Sequence, residues 1–302
     1  TMRINKFATT APPGRAVASL ATLLLPLLCS TSINAFSISA TGGTNPKQPQ
    51  SASAIINQAK QNLRQALKTN NYRTDTEAVQ TAVRELADLN APTNKADPCS
   101  SPLFEGDWLG LSAPTFPGRI EGTPDDVHKF TLGKMSFNQF QPTDLVCTVE
   151  HVVNPVTPII NDPDSSTDDE AVACFSYSVQ SSISIATKCG NDLPALLITD
   201  GTCRPWTHTD EEDCIAGRAE VAFGGGSLEP VKDLIDDEGY TRLWGETFGV
   251  VTKQDQDVPQ SFRYDVERPF KSFLDVLYLD EELRITQGQM GTIVIAKRVR
   301  KE

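Results

Sequence analysis

The sequence has little of the material from which recognisable catalytic and metal sites are built. It contains three histidines, His128, His151 and His208, and none of them forms an HxH, HExxH or Cys/His zinc spacing. No GxSxG segment is present, so the serine nucleophile of that strand–turn–helix elbow is missing. These absences give no support to catalysis, and the sequence predicts neither an enzyme nor a metal site nor a bound cofactor.

Positive charge is scarce outside the first 35 residues. Those residues hold three basic and no acidic side chains, which leaves 24 basic and 39 acidic side chains in the rest of the chain. A surface with this net charge of −15 repels nucleic acid and gains nothing at anionic lipid. Three segments, 162–170, 210–213 and 233–238, are strongly acidic, but none has the glycine and spacing of a calcium loop. We therefore expect solvated faces and no nucleic-acid partner.

Cysteine is also sparse. Of the seven cysteines, Cys29 lies in an apolar N-terminal segment, and the other six do not make a disulfide-dense scaffold in a chain of this length. Cys203 and Cys214 flank one polar loop and are the best candidates for a disulfide bond. A reducing compartment would keep both as thiols.

The first 52 residues are typical of targeting segments. Residues 1–35 combine basic side chains, an apolar run over Ala16–Cys29 and small residues before Phe36, the pattern of a signal peptide, with a membrane anchor as the alternative. Residues 36–52 are rich in Ser, Thr, Pro and Gln and hold no acid. The junction of Ala35 with Phe36 and the segment after it resemble the bipartite presequences of algae with secondary, red-lineage plastids. We therefore predict localisation to the plastid through a bipartite signal and transit presequence, and ordinary secretion is the alternative.

A helical hairpin is predicted for residues 53–95. Apolar residues recur at helical spacing over Ser53–Asn70 and again over Asp75–Leu89, and in each segment they share one face. The pair Asn70-Asn71 separates the two helices. We expect the hairpin to pack on the domain that follows, and a position on a membrane surface is the weaker alternative.

Strand patterns replace helical periodicity after Phe104. The run Gly224–Gly226 follows one of these strands and is expected to be a turn. Many short strands with short, turn-rich connections predict a mainly β fold, an antiparallel barrel over residues 99–300 whose last strand pairs with its first. The predicted strands are Phe104–Leu111, Lys129–Phe140, Asp144–Val153, Ala171–Val179, Ser181–Thr187, Ala195–Thr199, Ile215–Phe223, Leu243–Val251, Phe273–Leu279, Glu282–Thr286 and Thr292–Val299.

Aromatic side chains lie on or near these strands. They either fill the core or line a cavity for an apolar ligand, because ligand cavities are mostly apolar with a few polar groups that set orientation. The residues that we expect to line such a cavity are Trp108, Phe137, Phe175, Tyr177, Phe248 and Tyr278.

Two stretches at the ends of the predicted barrel resemble a known family. Gly106–Trp108 resembles the GxW element of lipocalin-like proteins, and Tyr278–Ile285 followed by Gly291–Ile295 looks like the C-terminal signature of the plastid lipid-associated proteins, the fibrillins of plastoglobules and thylakoids. The resemblance implies a lipocalin-like barrel that binds lipids, carotenoids or quinones and is structural or carrier-like rather than catalytic. By analogy with GxW barrels, we predict that Trp108 packs against Arg284 in a cation–π contact.

Three functions follow from these patterns. The first is a fibrillin-like protein that binds or carries an apolar small molecule and associates peripherally with thylakoids or plastoglobules. The second is a structural or assembly subunit of a thylakoid complex, with the barrel interior filled. The third is a lipocalin-fold enzyme acting on isoprenoids, for which the strand pattern places His151 beside inward-facing Leu145, Cys147 and Val149.

Overall fold

The computed structural model describes residues 51–89, 101–159, 174–206, 217–249 and 261–300. In these residues two helices precede a closed antiparallel β-barrel, which confirms the predicted fold class. The predicted signal peptide and nearly all of the transit-peptide-like segment lie outside the described residues and stay predictions.

The two N-terminal helices are α1 (Ala52–Thr69) and α2 (Glu77–Leu89). The hydroxyl of Ser51 caps α1 by accepting a hydrogen bond from the backbone N–H of Ala54 at 3.3 Å. Among the described residues, no helix is both long enough and apolar enough to span a membrane. The apolar faces of α1 and α2 pack together against the outer face of the barrel, in a cluster of Ala59, Leu63, Leu67, Val79, Ala82, Val83, Leu86, Tyr278, Leu283, Ile285 and Ile295.

The barrel closes because its first strand pairs on both sides. The described strands are β1 (Gly106–Gly110), β2 (Lys129–Thr131), β3 (Val146–Pro158), β4 (Phe175–Ala186), β5 (Asp192–Pro205), β6 (Arg218–Pro230), β7 (Phe262–Leu279), β8 (Leu283–Gly288) and β9 (Ile293–Arg298). From β2 to β9 each strand pairs antiparallel with the next in sequence. In β1, Trp108 lies opposite Arg298 of β9 and opposite Asn154 of β3. The predicted pairing of the first and last strands is confirmed.

Two of the predicted strands contain helical segments. The strand predicted over Lys129–Phe140 ends at Thr131, where the single turn α3 (Leu132–Met135) begins. The strand predicted over Leu243–Val251 is wrong, since α4 (Glu238–Phe248) occupies most of it.

The physical reason for the second error lies in the residue that starts α4. The carboxylate of Asp237 accepts a hydrogen bond from the backbone N–H of Tyr240 at 2.8 Å, which is an N-cap. Asp237 belongs to the acidic segment 233–238, for which we expected a solvated face. Because the helix begins at this cap, Tyr240 and Trp244 lie four residues apart on the same helical face, and both are buried.

The glycine run is part of a strand rather than the predicted turn. Gly225 and Gly226 lie inside β6 and pair with β7 and β5. A Cβ atom on Gly226 would lie 2.2 Å from the backbone oxygen of Ile198, whereas a Cβ atom on Gly224 would meet nothing closer than 3.8 Å. Glycine at position 226 therefore lets two backbones approach more closely than any side chain allows.

A β-bulge in β3 changes which residues face the barrel interior. Val149 lies opposite Ile183 of β4, but His151 lies opposite the preceding residue, Ser182, so Glu150 is an extra residue. Val149 is buried before the bulge, and Asn154 is buried after it. The residues of β3 that face the interior therefore have odd numbers before the bulge and even numbers after it. His151, just after the bulge, is exposed.

The barrel interior holds two buried clusters, one around the barrel end that β1 closes and one around α3 and α4. The first consists of Phe104, Trp108, Val156, Phe175, Tyr177, Cys203, Ala219, Val221, Leu274, Val276, Leu279 and Ala296. The second consists of Phe130, Leu132, Met135, Phe140, Leu145, Cys147, Val149, Ile183, Ile185, Leu193, Ala195, Leu197, Leu228, Tyr240 and Trp244.

A partly buried ion pair attaches α1 to the barrel. The side chain of Lys60 is 7% exposed, and its Nζ lies 2.5 Å from Oδ2 of Asp280. Asp280 also accepts hydrogen bonds from the hydroxyl of Tyr278 at 2.5 Å and from the backbone N–H of Leu283 at 2.8 Å. Burial acts to raise the pKa of Asp280, but hydrogen bonds from Lys60 and Tyr278 outweigh it and hold the pKa below its usual range.

We expect Gly226→Ala to destabilise the barrel, because its Cβ would overlap the backbone oxygen of Ile198. Overpacking of this kind costs about 1–3 kcal/mol of unfolding free energy, which urea denaturation followed by circular dichroism measures. Gly224→Ala is the matched control and should change the midpoint little. Equal midpoints for the two variants would contradict the close approach of β5 and β6.

We expect Asp280→Asn to lower the unfolding free energy at pH 7 by about 1–3 kcal/mol, the value of a charge-assisted hydrogen bond. The folded-state pKa of Asp280 is depressed, so its contribution is present above the unfolded-state pKa of about 3.9 and is lost as pH falls through the folded-state value. Denaturation at several pH values should show wild type and variant converging below about pH 4. Asp75→Asn, at an exposed pair with Arg73, is the control and should stay close to wild type throughout. A gap that is absent, or that does not change with pH, would argue against the ion pair.

Candidate functional site

Trp108 lies at the end of the barrel that β1 closes. Its side chain is fully buried, and its indole N–H donates a hydrogen bond to the backbone oxygen of Phe104 at 3.1 Å. Two guanidinium groups contact the ring, that of Arg298 at 4.4 Å and that of Arg284 at 4.9 Å from the ring centroid. The contact between Trp108 and Arg284 is the one predicted from the two sequence motifs.

Arg298 ties this end of the barrel together. Its Nε, Nη1 and Nη2 donate hydrogen bonds to the backbone oxygens of Glu281, Glu105 and Leu103 respectively. Each guanidinium nitrogen therefore has a partner, and the segment before β1 is joined to the turn between β7 and β8.

Arg284 points into the barrel from β8 and is 2% exposed. Its Nη2 donates a hydrogen bond to Oδ1 of Asn154, and Nδ2 of Asn154 donates in turn to the backbone oxygen of Ser178 at 2.5 Å. The other terminal nitrogen, Nη1, is buried and has no hydrogen-bond partner in the described part of the chain. The guanidinium group is therefore held in place on one side and unsatisfied on the other.

Burial dominates the electrostatics of Arg284. Removal from water lowers the pKa of the guanidinium group, and Tyr177 and Cys203 act in the opposite direction. Arginine nevertheless keeps its proton in proteins. No carboxylate of residues 51–89, 101–159, 174–206, 217–249 or 261–300 forms an ion pair with it, so these residues leave a buried positive charge uncompensated.

A cavity of about 220 Å³ adjoins this charge inside the barrel. Arg284, Asn154 and Ser112 contribute polar groups, and most of the other lining side chains are apolar. Thr115 and Val294 in its wall are exposed to solvent, so the cavity opens to the outside. The remaining lining residues are Trp108, Gly110, Ala113, Pro114, Phe116, Val152, Tyr177, Val179 and Ala296.

The volume limits what the cavity can enclose. A cavity of about 150 Å³ in a protein core holds benzene, and sites for drug-sized ligands are about 300–1,000 Å³. The observed cavity therefore has room for one ring or a short chain segment. A whole carotenoid or long-chain lipid would extend through the opening beside Val294.

Three of the predicted lining residues lie together. Trp108 and Tyr177 form part of the cavity wall. Phe175 is buried in the same cluster, where it meets Phe104 edge to face at a centroid distance of 5.5 Å. Phe175 does not itself line the cavity.

The other three predicted residues lie elsewhere. Phe137 is 43% exposed and stacks on Phe270 at the surface, with centroids 5.2 Å apart. Phe248 belongs to α4 and packs at the opposite cluster. Tyr278 faces outward under α1 and α2, where it donates to Asp280.

Two further predictions concerned a disulfide bond between Cys203 and Cys214 and the position of His151. Cys203 is buried in the core, and Cys214 lies outside the described residues, so a disulfide bond between them stays a prediction. The placement of His151 beside inward-facing residues is wrong, because the extra residue in β3 turns its ring outward, where Nε2 lies 2.9 Å from the hydroxyl of Ser182. Within the described ranges, no cluster of three or more His, Cys, Asp or Glu residues is placed to hold a metal ion.

The lining residues that the sequence patterns did not predict include Asn154, Val294 and the segment 112–116. Alternation along β3 would have turned Asn154 outward if no bulge were present, and bulges leave no clear mark in a sequence. Segment 112–116 follows β1 without regular secondary structure, so no periodicity marked it as part of a cavity.

Comparison with known proteins gives a family match over the C-terminal part of the barrel. The PAP_fibrillin family model matches residues 217–297, from the start of β6 into β9, and the matched segment contains Arg284. This match supports assignment to the plastid lipid-associated protein, or fibrillin, family and confirms the resemblance drawn from the sequence. Searches of curated proteins and of solved structures found no match.

Proposed function

We propose that this chain is a plastid lipid-associated, fibrillin-like protein that binds or carries an apolar small molecule, a lipid, carotenoid or quinone, at thylakoids or plastoglobules. The observation that carries the proposal is the cavity of about 220 Å³ between the packed ends of the barrel. Its walls are mostly apolar and contain a few convergent polar groups, which is the general character of small-molecule sites. The family match over residues 217–297 supports the same reading.

Affinity in such a site comes mainly from the removal of apolar ligand surface from water. Each Å² of apolar surface buried contributes about 25 cal/mol before the costs of ordering the ligand are subtracted. Because the cavity encloses one ring or a short chain segment, the enclosed part of the ligand fixes specificity. The remainder stays at the opening beside Val294, where lipid or a second protein can accept it.

Localisation to the plastid forms part of the proposal. It is supported by the family match and by the signal-like and transit-like patterns of residues 1–35 and 36–52. Thylakoid and plastoglobule association is proposed as peripheral.

The cavity favours a carrier over the two alternatives. A structural subunit with a filled barrel would not need an open space beside a buried arginine. The enzyme alternative depended on His151, whose side chain lies on the outside of the barrel. We therefore propose a protein that binds without catalysis.

The test is to extract purified protein with organic solvent, identify co-purifying molecules by mass spectrometry, and titrate the protein with a fluorescent fatty acid. We expect an apolar molecule in stoichiometric amount or saturable binding of the probe. A protein that carries no such molecule and shows no saturable binding would overturn the proposal.

Filling the cavity should weaken binding without unfolding the barrel. Val294→Trp places a large ring in the cavity wall and should weaken probe binding at least tenfold, because the ligand loses the space it occupies. Val299→Trp is a matched control, since Val299 is 39% exposed and Val294 is 40% exposed, but Val299 does not line the cavity. Equal affinities for both variants, with similar melting temperatures, would place the ligand elsewhere.

A further inference from the structure

Arg284 lines the cavity and carries one buried, unsatisfied donor. A guanidinium group carries five N–H donors in a planar fork and has no acceptor. The bond that the structure shows runs from Nη2 to Asn154, and Nη1 is buried without a partner in the described residues. A buried donor of this kind costs free energy unless a group inside the cavity accepts its hydrogen bond.

Among the described residues, the side chains that surround Arg284 carry no negative charge. Trp108, Phe104 and Tyr177 present ring systems with centroids 4.9, 5.7 and 6.0 Å from the guanidinium carbon. Aromatic faces attract a cation but leave its N–H donors unpaired. Asn154 supplies a neutral oxygen, and its amide nitrogen is committed to Ser178. An anion is therefore the group that these neighbours do not supply.

Arg298 shows what a purely structural arginine looks like in the same place. It lies even closer to Trp108, at 4.4 Å, yet its Nε, Nη1 and Nη2 all donate to backbone oxygens. If stacking on Trp108 were the whole role of Arg284, a similar set of partners would be expected. The difference between the two arginines assigns a further role to Arg284.

We propose that the cavity binds a carboxylate amphiphile whose head group accepts hydrogen bonds from Arg284 and whose apolar chain leaves past Val294. This inference rests on the proposed function and names the class of ligand. A carboxylate supplies both the missing acceptor and the missing negative charge. A neutral carbonyl, as in a quinone, would satisfy Nη1 but leave the charge uncompensated.

The first test uses the unaltered protein and changes the head group of the ligand. Dodecanoate, methyl dodecanoate and dodecanol have the same chain, and calorimetric titration with each measures its affinity. We expect dodecanoate to bind at least tenfold more tightly than the other two, the effect of about one charge-assisted hydrogen bond. Equal affinities would overturn the carboxylate assignment while leaving the carrier function intact. Binding of none of the three probes would count against both.

The second test compares the two arginines. Arg284→Gln should bring the ratio of dodecanoate to methyl dodecanoate affinity close to one, because the charge is gone. Arg298→Gln is the matched control, and it should keep the ratio even if it lowers stability, since Arg298 does not line the cavity. The ratio is measured within each variant, so a general loss of stability does not mimic the result. An unchanged ratio of dodecanoate to methyl dodecanoate affinity in a folded Arg284→Gln variant would overturn the proposal. If Arg284→Gln does not fold, the head-group series on the unaltered protein still tests the carboxylate assignment.

Discussion

The double pairing of the five-residue strand β1 is the constraint on which the rest of the structure depends. With β9 on one side and β3 on the other, β1 removes the two open edges that the sheet would otherwise present to solvent or to another chain. The same pairing fixes the register that sets Trp108 opposite Arg298 and Asn154. Closure therefore creates the enclosed space and also positions the groups that line it.

The two arginines at this end divide structural and binding duties. Arg298 gives its donors to backbone oxygens and fastens the segment before β1 to the end of β7. Arg284 is buried beside the cavity with a donor left over. Because Arg298 holds the closed end of the barrel, Arg284 is left for a ligand. Trp108 contacts both arginines and therefore contributes to the packed end of the barrel and to the cavity wall.

The sequence predicts the barrel well because most strands bury one face, and alternation such as that of Phe175 and Tyr177 reports this directly. The sequence predicts α4 poorly, because the capping residue Asp237 lies in an acidic segment of the kind that is also common in solvated loops. At the site, Trp108 and Tyr177 were identifiable, but Tyr278 was assigned to the interior. Both faces of the last strands are apolar, because α1 and α2 cover the outer one, and alternation cannot tell a helix-covered face from the interior. The bulge at Glu150, which brings Asn154 inward, depends on tertiary pairing that local pattern does not encode.

The hydrogen bond from Arg298 to the backbone oxygen of Glu105 joins positions that are 193 residues apart. Contacts between such distant positions form late in folding, because the entropy of closing the intervening loop must be offset first. During synthesis, β1 must therefore wait for β9 before the barrel can close. Because β9 supplies the pairing that closes the sheet, a fragment without β9 should lose the compartment rather than keep a smaller one.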